Sequence, residues 1–256
     1  MTDAYSAIEL PPPFRLVVLE TVPSTNDALH ALAQSGAPDA LALVAEHQTT
    51  GRGRRGSPWF SHPEDSLTFS ILVRPPEPRA LWPRLALAAG LAVAEALESF
   101  GPTTTIKWPN DVWMDQRKVA GILVEAGSDF AIVGIGVNVN TSSFPPEIHD
   151  IATSLRVATG QNHPRSAVLT AILERFAQRQ SQIDTPFPAL LAAVRPRCVL
   201  TGHRVSLTTA NRLQTGIVEG ISPSGELLLR TTSGLQSLIQ ADEIRLIPND
   251  DASRLT

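Results

Sequence analysis

Apolar residues fall along this chain in two textures, short β-branched runs and longer stretches at helical spacing. Arg15 to Glu20 reads as a first strand. Ser24-Thr25-Asn26-Asp27 then opens a helix, with Ser24 as N-cap and Asp27 in the capping-box position, continuing through Ala28, Leu29 and Leu32 and stopping near Gly36. Leu41 to Glu46 and Leu67 to Val73 read as strands, the second cut off by Pro75-Pro76. Residues 80–99 have helical spacing and end at Gly101-Pro102. Next, Thr104 to Trp108 predicts a strand, Pro109-Asn110-Asp111 a turn and Val112 to Met114 a strand. Asp115-Gln116-Arg117 predicts a hairpin turn, and Lys118 to Glu125 and Ala131 to Val139 two long strands. Short polar turns between successive strands argue for a mixed or antiparallel sheet and against a doubly wound parallel one.

Residues 164–181 form an amphipathic helix opened by Pro164, followed by a shorter apolar helix from Phe187 to Val194. Beyond Pro196 the texture becomes all-β. Runs at His203 to Leu207, Leu213 to Glu219, Glu226 to Leu229, Gln236 to Ile239 and Ile244 to Ile247 are separated by turns at Asn211, Ser222-Pro223-Ser224-Gly225 and Ser233-Gly234. About fifty residues of this kind match a small β-barrel of SH3-like size. The expected fold is therefore α+β: a lead-in over 1–13, a sheet flanked by helices over 14–197, and a C-terminal β-domain over 198–256.

Composition narrows the function classes. The 256 residues are 43% hydrophobic and 18% charged, with a formal net charge of −4. That is an ordinary globular balance and lacks the basic footprint of a general nucleic-acid binder. The single cysteine, Cys198, excludes an internal disulfide, and its default reading is a small buried apolar residue. No signal peptide is visible, and the longest apolar run, Leu85 to Ala94, falls short of the roughly 20 residues that cross a bilayer. The expectation is a cytoplasmic protein with no membrane partner.

Candidate chemistry centres on Gly51-Arg52-Gly53-Arg54-Arg55-Gly56, ahead of Ser57-Pro58-Trp59-Phe60. Glycines let a backbone approach a ligand closely, and arginines offer a donor fork for carboxylate or phosphate. The letters satisfy G-x-G-x-x-G, but no helix opens within the segment, and no Gly-Lys-Ser/Thr closes it as a P-loop would. A mobile anion-closing loop and a solvated basic loop both remain possible. Capping alone would explain Ser24 and Asp27 at a helix start but not three consecutive hydrogen-bonding residues there; Lys118 could snorkel, and Asn138 could end a strand. Gly134 and Gly136 inside one strand weaken it unless something must approach its backbone.

Five motifs then occur in one order: Ser24-Thr25-Asn26; Gly51 to Gly56 with Trp59; Lys107-Trp108-Pro109-Asn110-Asp111; Lys118 to Glu125; and Gly134-Ile135-Gly136-Val137-Asn138. Over roughly residues 15–247 they resemble the bacterial biotin protein ligases. The resemblance implies that biotin and MgATP give biotinyl-5′-adenylate, and that the biotinyl group then passes to a lysine of a biotin carboxyl carrier domain. It implies a biotin site of Ser24, Thr25, Asn26, Gln48, Arg52, Gly53, Arg54, Lys118 and Gly121. The nucleotide site it implies comprises Arg54, Trp59, Asn110, Lys118 and Asn138, and Mg2+ enters with ATP rather than on a protein metal site. Lys118 is then the fixed cation and Arg52 and Arg54 the cations of a loop that orders around ligand. Asp111 is the candidate base for the acceptor lysine, and Arg55 is expected to face solvent.

Residues 1–14 leave no room for the helix-turn-helix domain that some family members carry, so a ligase without repressor function or nucleic-acid partner is expected, as a monomer or weak homodimer. The C-terminal Ala241-Asp242-Glu243 stands where the family usually has a glycine. A lipoate-handling ligase is the nearest competitor; a non-catalytic biotin sensor has no use for phosphate cations, and RNA binding by the C-terminal domain is disfavoured by its sparse basic residues.

Overall fold

A computed structural model describes residue 5, residues 8–209 and residues 212–248. Asn211 and residues 1–4, 6 and 7 of the expected lead-in lie outside the described residues. The larger sheet contains β1 (Arg15–Val22), β2 (Leu41–Gln48), β3 (Ser66–Val73), β4 (Thr105–Lys107), β5 (Asp111–Met114), β6 (Arg117–Ala126) and β7 (Ala131–Asn138). Their order is β1-β2-β3-β7-β6-β5-β4; β1 and β2 are parallel and every other pairing is antiparallel. The mixed sheet expected from the short turns is present. Asp111 opens β5 instead of closing the preceding turn, and the β5–β6 hairpin turns through Asp115 and Gln116, both at positive φ.

Side chains alternate across this sheet, and the two faces differ. Leu67, Phe69 and Ile71 of β3, with Val133, Ile135 and Val137 of β7, point into the main core. Helices α2 (Leu85–Glu98), α4 (Arg165–Arg179) and α5 (Phe187–Val194) cover that face. With the 3-10 turn before it, α2 forms a stretch, Arg79–Glu98, long and apolar enough by length and composition to span a membrane; 67% of its most apolar window is buried inside the protein. The opposite face is packed only in part. Helix α1 (Thr25–Gln34) covers Leu41, Leu43, Leu72 and Ile132 through Leu29 and Ala33.

Beyond α1, the residues on this second face turn small. Ser70 pairs with Gly134, and Thr68 pairs with Gly136, which in turn faces Gly121. A face lined by leucine and isoleucine thus becomes a trough along β3, β7 and β6. Helix α3 (Leu155–Thr159) follows, capped by Ser154, whose hydroxyl accepts from the Val157 amide at 3.0 Å, and closed by left-handed Gly160. It was not expected; five residues are too few to show a period.

The C-terminal segment forms a second, five-stranded antiparallel sheet: β8 (Arg204–Thr209), β9 (Arg212–Ile221), β10 (Leu227–Thr231), β11 (Gly234–Leu238) and β12 (Ile244–Leu246), ordered β11-β10-β9-β8-β12. Its Val205, Leu207, Val218, Ile221, Leu227 and Leu229 join the main core, so the apolar interior is continuous across the seam. The Trp108 indole donates to the Gly225 carbonyl at 3.0 Å, and Arg195 Nε to the Ile221 carbonyl at 3.0 Å. Cys198 is buried in this seam, as its default reading held.

Candidate active site

The trough opens into a cleft of about 240 Å³ beside a larger cavity of about 630 Å³. Trp59, Lys107, Asp111 and Lys118 line both. Every site residue read from the sequence lines the smaller cleft except Asn138, which lines the larger cavity.

At the start of α1, Ser24, Thr25 and Asn26 are buried. Ser24 stands at the N-cap, but its hydroxyl makes no capping bond. The Thr25 amide and hydroxyl instead both donate to Gln48 Oε1, at 2.8 and 3.1 Å, tying helix to strand end. Asn26 lies flat over Gly134, where any Cβ would collide with its carboxamide. Its Nδ2 donates to Glu125 Oε2 at 2.6 Å, and the Ser70 hydroxyl lies 2.6 Å from its Oδ1. The amide is thereby oriented from both ends. Neither Ser70 nor Glu125 was singled out in the sequence, because each acts through a residue of another element.

Asp27 does not complete a capping box. Its two oxygens accept from both terminal nitrogens of Arg52, at 2.6 and 2.7 Å, a bidentate pair that outweighs a single backbone cap. Arg52 also donates to Glu125 at 3.2 Å. Hydrogen bonding to Arg52 holds the Asp27 carboxyl below its ordinary value, and the same pair pushes the Arg52 guanidinium up. Arg52, expected as a ligand-facing cation, lines the cleft and is at the same time paired with two carboxylates that anchor the loop.

The Gly/Arg segment itself is a folded turn. The Gly53 amide donates to the Ser57 carbonyl at 2.7 Å and the Trp59 amide to the Gly51 carbonyl at 2.9 Å. Arg55 is exposed, as expected, and its half-exposed side chain also pairs with Asp242 of the C-terminal segment. Arg54 makes no ion pair among the described residues. Burial lowers its affinity for its proton and Asp111 partly restores it.

The strand-borne cation is fixed from two sides. The Lys118 amide donates to the Ile151 carbonyl at 2.8 Å, and the Thr153 amide donates to the Lys118 carbonyl at 2.9 Å. Lys118 Nζ lies 2.8 Å from Asp111 Oδ1 and 5.5 Å from the centre of the Trp59 ring. Trp59 in turn lies on Gly136, whose missing Cβ leaves the space its indole fills. That strand glycine admits a tryptophan, the close approach its place in a strand implied.

Lys107, a motif residue given no role in the sequence reading, lies 4.9 Å from the Trp113 ring centre. Burial lowers its pKa, opposed by Asp111. Lys118 is paired with Asp111, which also favours the charged forms of Arg54 and Lys107; all four line the smaller cleft, together with Asp242 and Glu243. The asparagines are more committed than expected. Asn110 Nδ2 donates to the Ile122 carbonyl at 2.7 Å and Asn138 Nδ2 to the Thr153 carbonyl at 3.0 Å, so both amide donors serve the backbone.

Residues 18–140 match the model of the biotin/lipoate A/B protein ligase family. The chain is 35% identical over 236 residues to the bifunctional ligase/repressor BirA of Bacillus subtilis, covering 89% of this chain and 73% of the relative. It is 36% identical over 222 residues to the biotin–[acetyl-CoA-carboxylase] ligase of Mycobacterium tuberculosis, covering 84% and 83%. Among solved structures, the biotin protein ligase of Aquifex aeolicus in complex with biotin and ATP superposes with a TM-score of 0.83 at 35% identity, covering 91% of this chain and 99% of that one. A sheet with its trough, two lysines where two cavities meet and likeness along nearly the whole chain agree: the protein belongs to the biotin protein ligase family.

Proposed function

We propose that the smaller cleft holds biotin, that the larger cavity holds the nucleotide, and that the lysine-bearing junction between them is where biotinyl-5′-AMP forms and reacts. Ser24, Thr25 and Gln48 face the ureido end of biotin, with Asn26 held in one orientation beside them. A biotin carboxylate oxygen attacks the α-phosphorus of ATP and pyrophosphate leaves. Carboxylate and triphosphate repel each other, so the barrier falls where fixed cations meet the charge that builds on the α-phosphate. Lys118 and Lys107 supply that charge from strands, while Arg54 closes over the adenylate from the loop, and their sharing of one cleft with Asp111 is the observation that carries the reading. Trp59 and Gly121 form the wall where the acyl chain meets the adenylate, and Asn110 and Asn138 keep their carbonyl oxygens for the nucleotide.

In the second step a neutral lysine amine of a biotin carboxyl carrier domain attacks the acyl carbon and AMP leaves. Asp111 takes the amine proton once Lys118 turns from it towards the adenylate phosphate. Magnesium enters with ATP. Asp111 and Glu243, which line both cavities, are the carboxylates that would reach the ion beside the phosphates. The division near residue 197, an SH3-like form for the C-terminal sheet, a monomer or weak dimer and a cytoplasmic setting complete the reading.

Titration calorimetry with biotin, ATP and lipoate in turn, followed by mass spectrometry for an adenylate, tests it. Biotin binding with appearance of biotinyl-AMP is expected. Preferential lipoate binding would favour the other branch of the family, whose ligand lacks a ureido group for Thr25 and Gln48 to recognise.

A further inference from the structure

The Gly/Arg loop reaches the rest of the protein through two arginines, one on either side of Arg54. Arg52 is bound by Asp27 and Glu125, on α1 and β6. Arg55 is bound by Asp242, which lies between β11 and β12 of the other sheet. The loop is therefore strung between the two sheets, and Arg54 is the link in the middle.

An ion pair between exposed side chains ordinarily contributes little. Three features set this one apart. The Asp242 side chain is only 11% exposed, and its Oδ2 is buried without a hydrogen-bond partner. The backbone that carries it is pinned: the Asp242 amide donates to the Thr208 carbonyl at 2.8 Å and the Thr208 amide to the Glu243 carbonyl at 3.1 Å. Arg55 itself has φ of 56°, the left-handed region that glycine adopts without strain, although Gly53 and Gly56 stand close by in the sequence. An arginine held in that conformation presents its side chain to Asp242; a glycine would relax the backbone and lose the contact.

We propose that Asp242 is a positioning residue of the ligase reaction: by holding Arg55 it holds Arg54 over the cleft, and so couples the C-terminal sheet to retention of the acyl-adenylate. The role in retention rests on the biotin-ligase reading, whereas the latch does not. Residues 241–244 line the cleft beside Arg54, so the same segment that fastens the loop also closes the cleft's outer rim. Opening the latch frees the loop at one end only, because Arg52 keeps the other end on α1 and β6.

The loop's own arginines provide the assay, since trypsin cuts after Arg54 and Arg55 only where the loop opens. In the full-length protein, Asp242→Asn should speed cleavage within the loop roughly three- to fivefold, the factor expected for losing one partly exposed ion pair. Loss of preformed biotinyl-AMP should accelerate by a similar factor, with the melting temperature little changed. Asp242→Glu should restore both. Arg55→Gly is the second variant: it relieves the backbone while removing the latch, and should raise cleavage after Arg54 without loss of stability. Wild-type cleavage rates in Asp242→Asn and Arg55→Gly would overturn the latch. Faster cleavage with unchanged adenylate retention would overturn the positioning role. If the wild-type protein forms no biotinyl-AMP, the biotin-ligase reading has failed, while the cleavage arm still decides the latch.

Discussion

Lys118 and Arg54 bring positive charge to one cleft from supports of opposite kind. Lys118 stands on β6, with its backbone bonded on both sides to residues 151 and 153 and its ammonium fixed by Asp111. Arg54 stands on a glycine-bordered turn that two neighbouring arginines tie down, and has no ion-pair partner of its own among the described residues. A cation held by a strand costs little reorganisation when charge builds in front of it, which suits stabilisation of a transition state. A cation on a tethered loop can move aside and return, which suits guarding a hydrolysable intermediate.

The two supports should separate in kinetics. Lys118→Ala should lower biotin-dependent pyrophosphate release by about a thousandfold or more, the scale of losing a preorganised charge at the reacting phosphate. Its fold should persist, because β6 is held by its ladders. Near-normal turnover in this variant would end the distinction. Arg54→Ala should still form the adenylate but release it about a hundredfold faster, measured as free biotinyl-AMP after rapid filtration; this is of the order that one well-placed active-site contact contributes. If Arg54→Ala instead failed to make adenylate at all, the loop would be doing the strand's work.

The same division explains what could be read from the amino-acid sequence. Strands and helices with clear periods lie where the pattern places them, and Phe187–Val194 coincides at both ends, because local burial dictates them. The glycines of β7 were legible as close approach, but not what approaches: Asn26 and Trp59 arrive from other segments. Asp27 resembled a capping residue because its partner, Arg52, lies on a different element. Asp242 carried no signal, since only folding brings the second sheet against the loop. In general the strand-borne half of the site, Lys118 with Gly121, was visible in one contiguous motif. The loop-borne half depends on pairings between distant segments, so the ion pairs of Arg52 and Arg55 could not be read in advance.

The smallest effect tests the inner anchor of the loop. Arg52 holds the Asp27 carboxyl below its ordinary range, and a carboxyl depressed on folding contributes stability above its ordinary pKa and loses it as pH falls through the folded value. Asp27 is 56% exposed, so solvent screens the pair and the contribution is modest. Wild type should therefore melt about 1–2 °C above Asp27→Asn near pH 7, and the gap should close at pH values well below the usual carboxylate range. The sign matters more than the size. A gap that widened in acid would mean that protonated Asp27 is the stabilising form, and that Arg52 is held by Glu125 alone. A gap independent of pH would assign the difference to packing, removing the anchor from which the loop is proposed to swing.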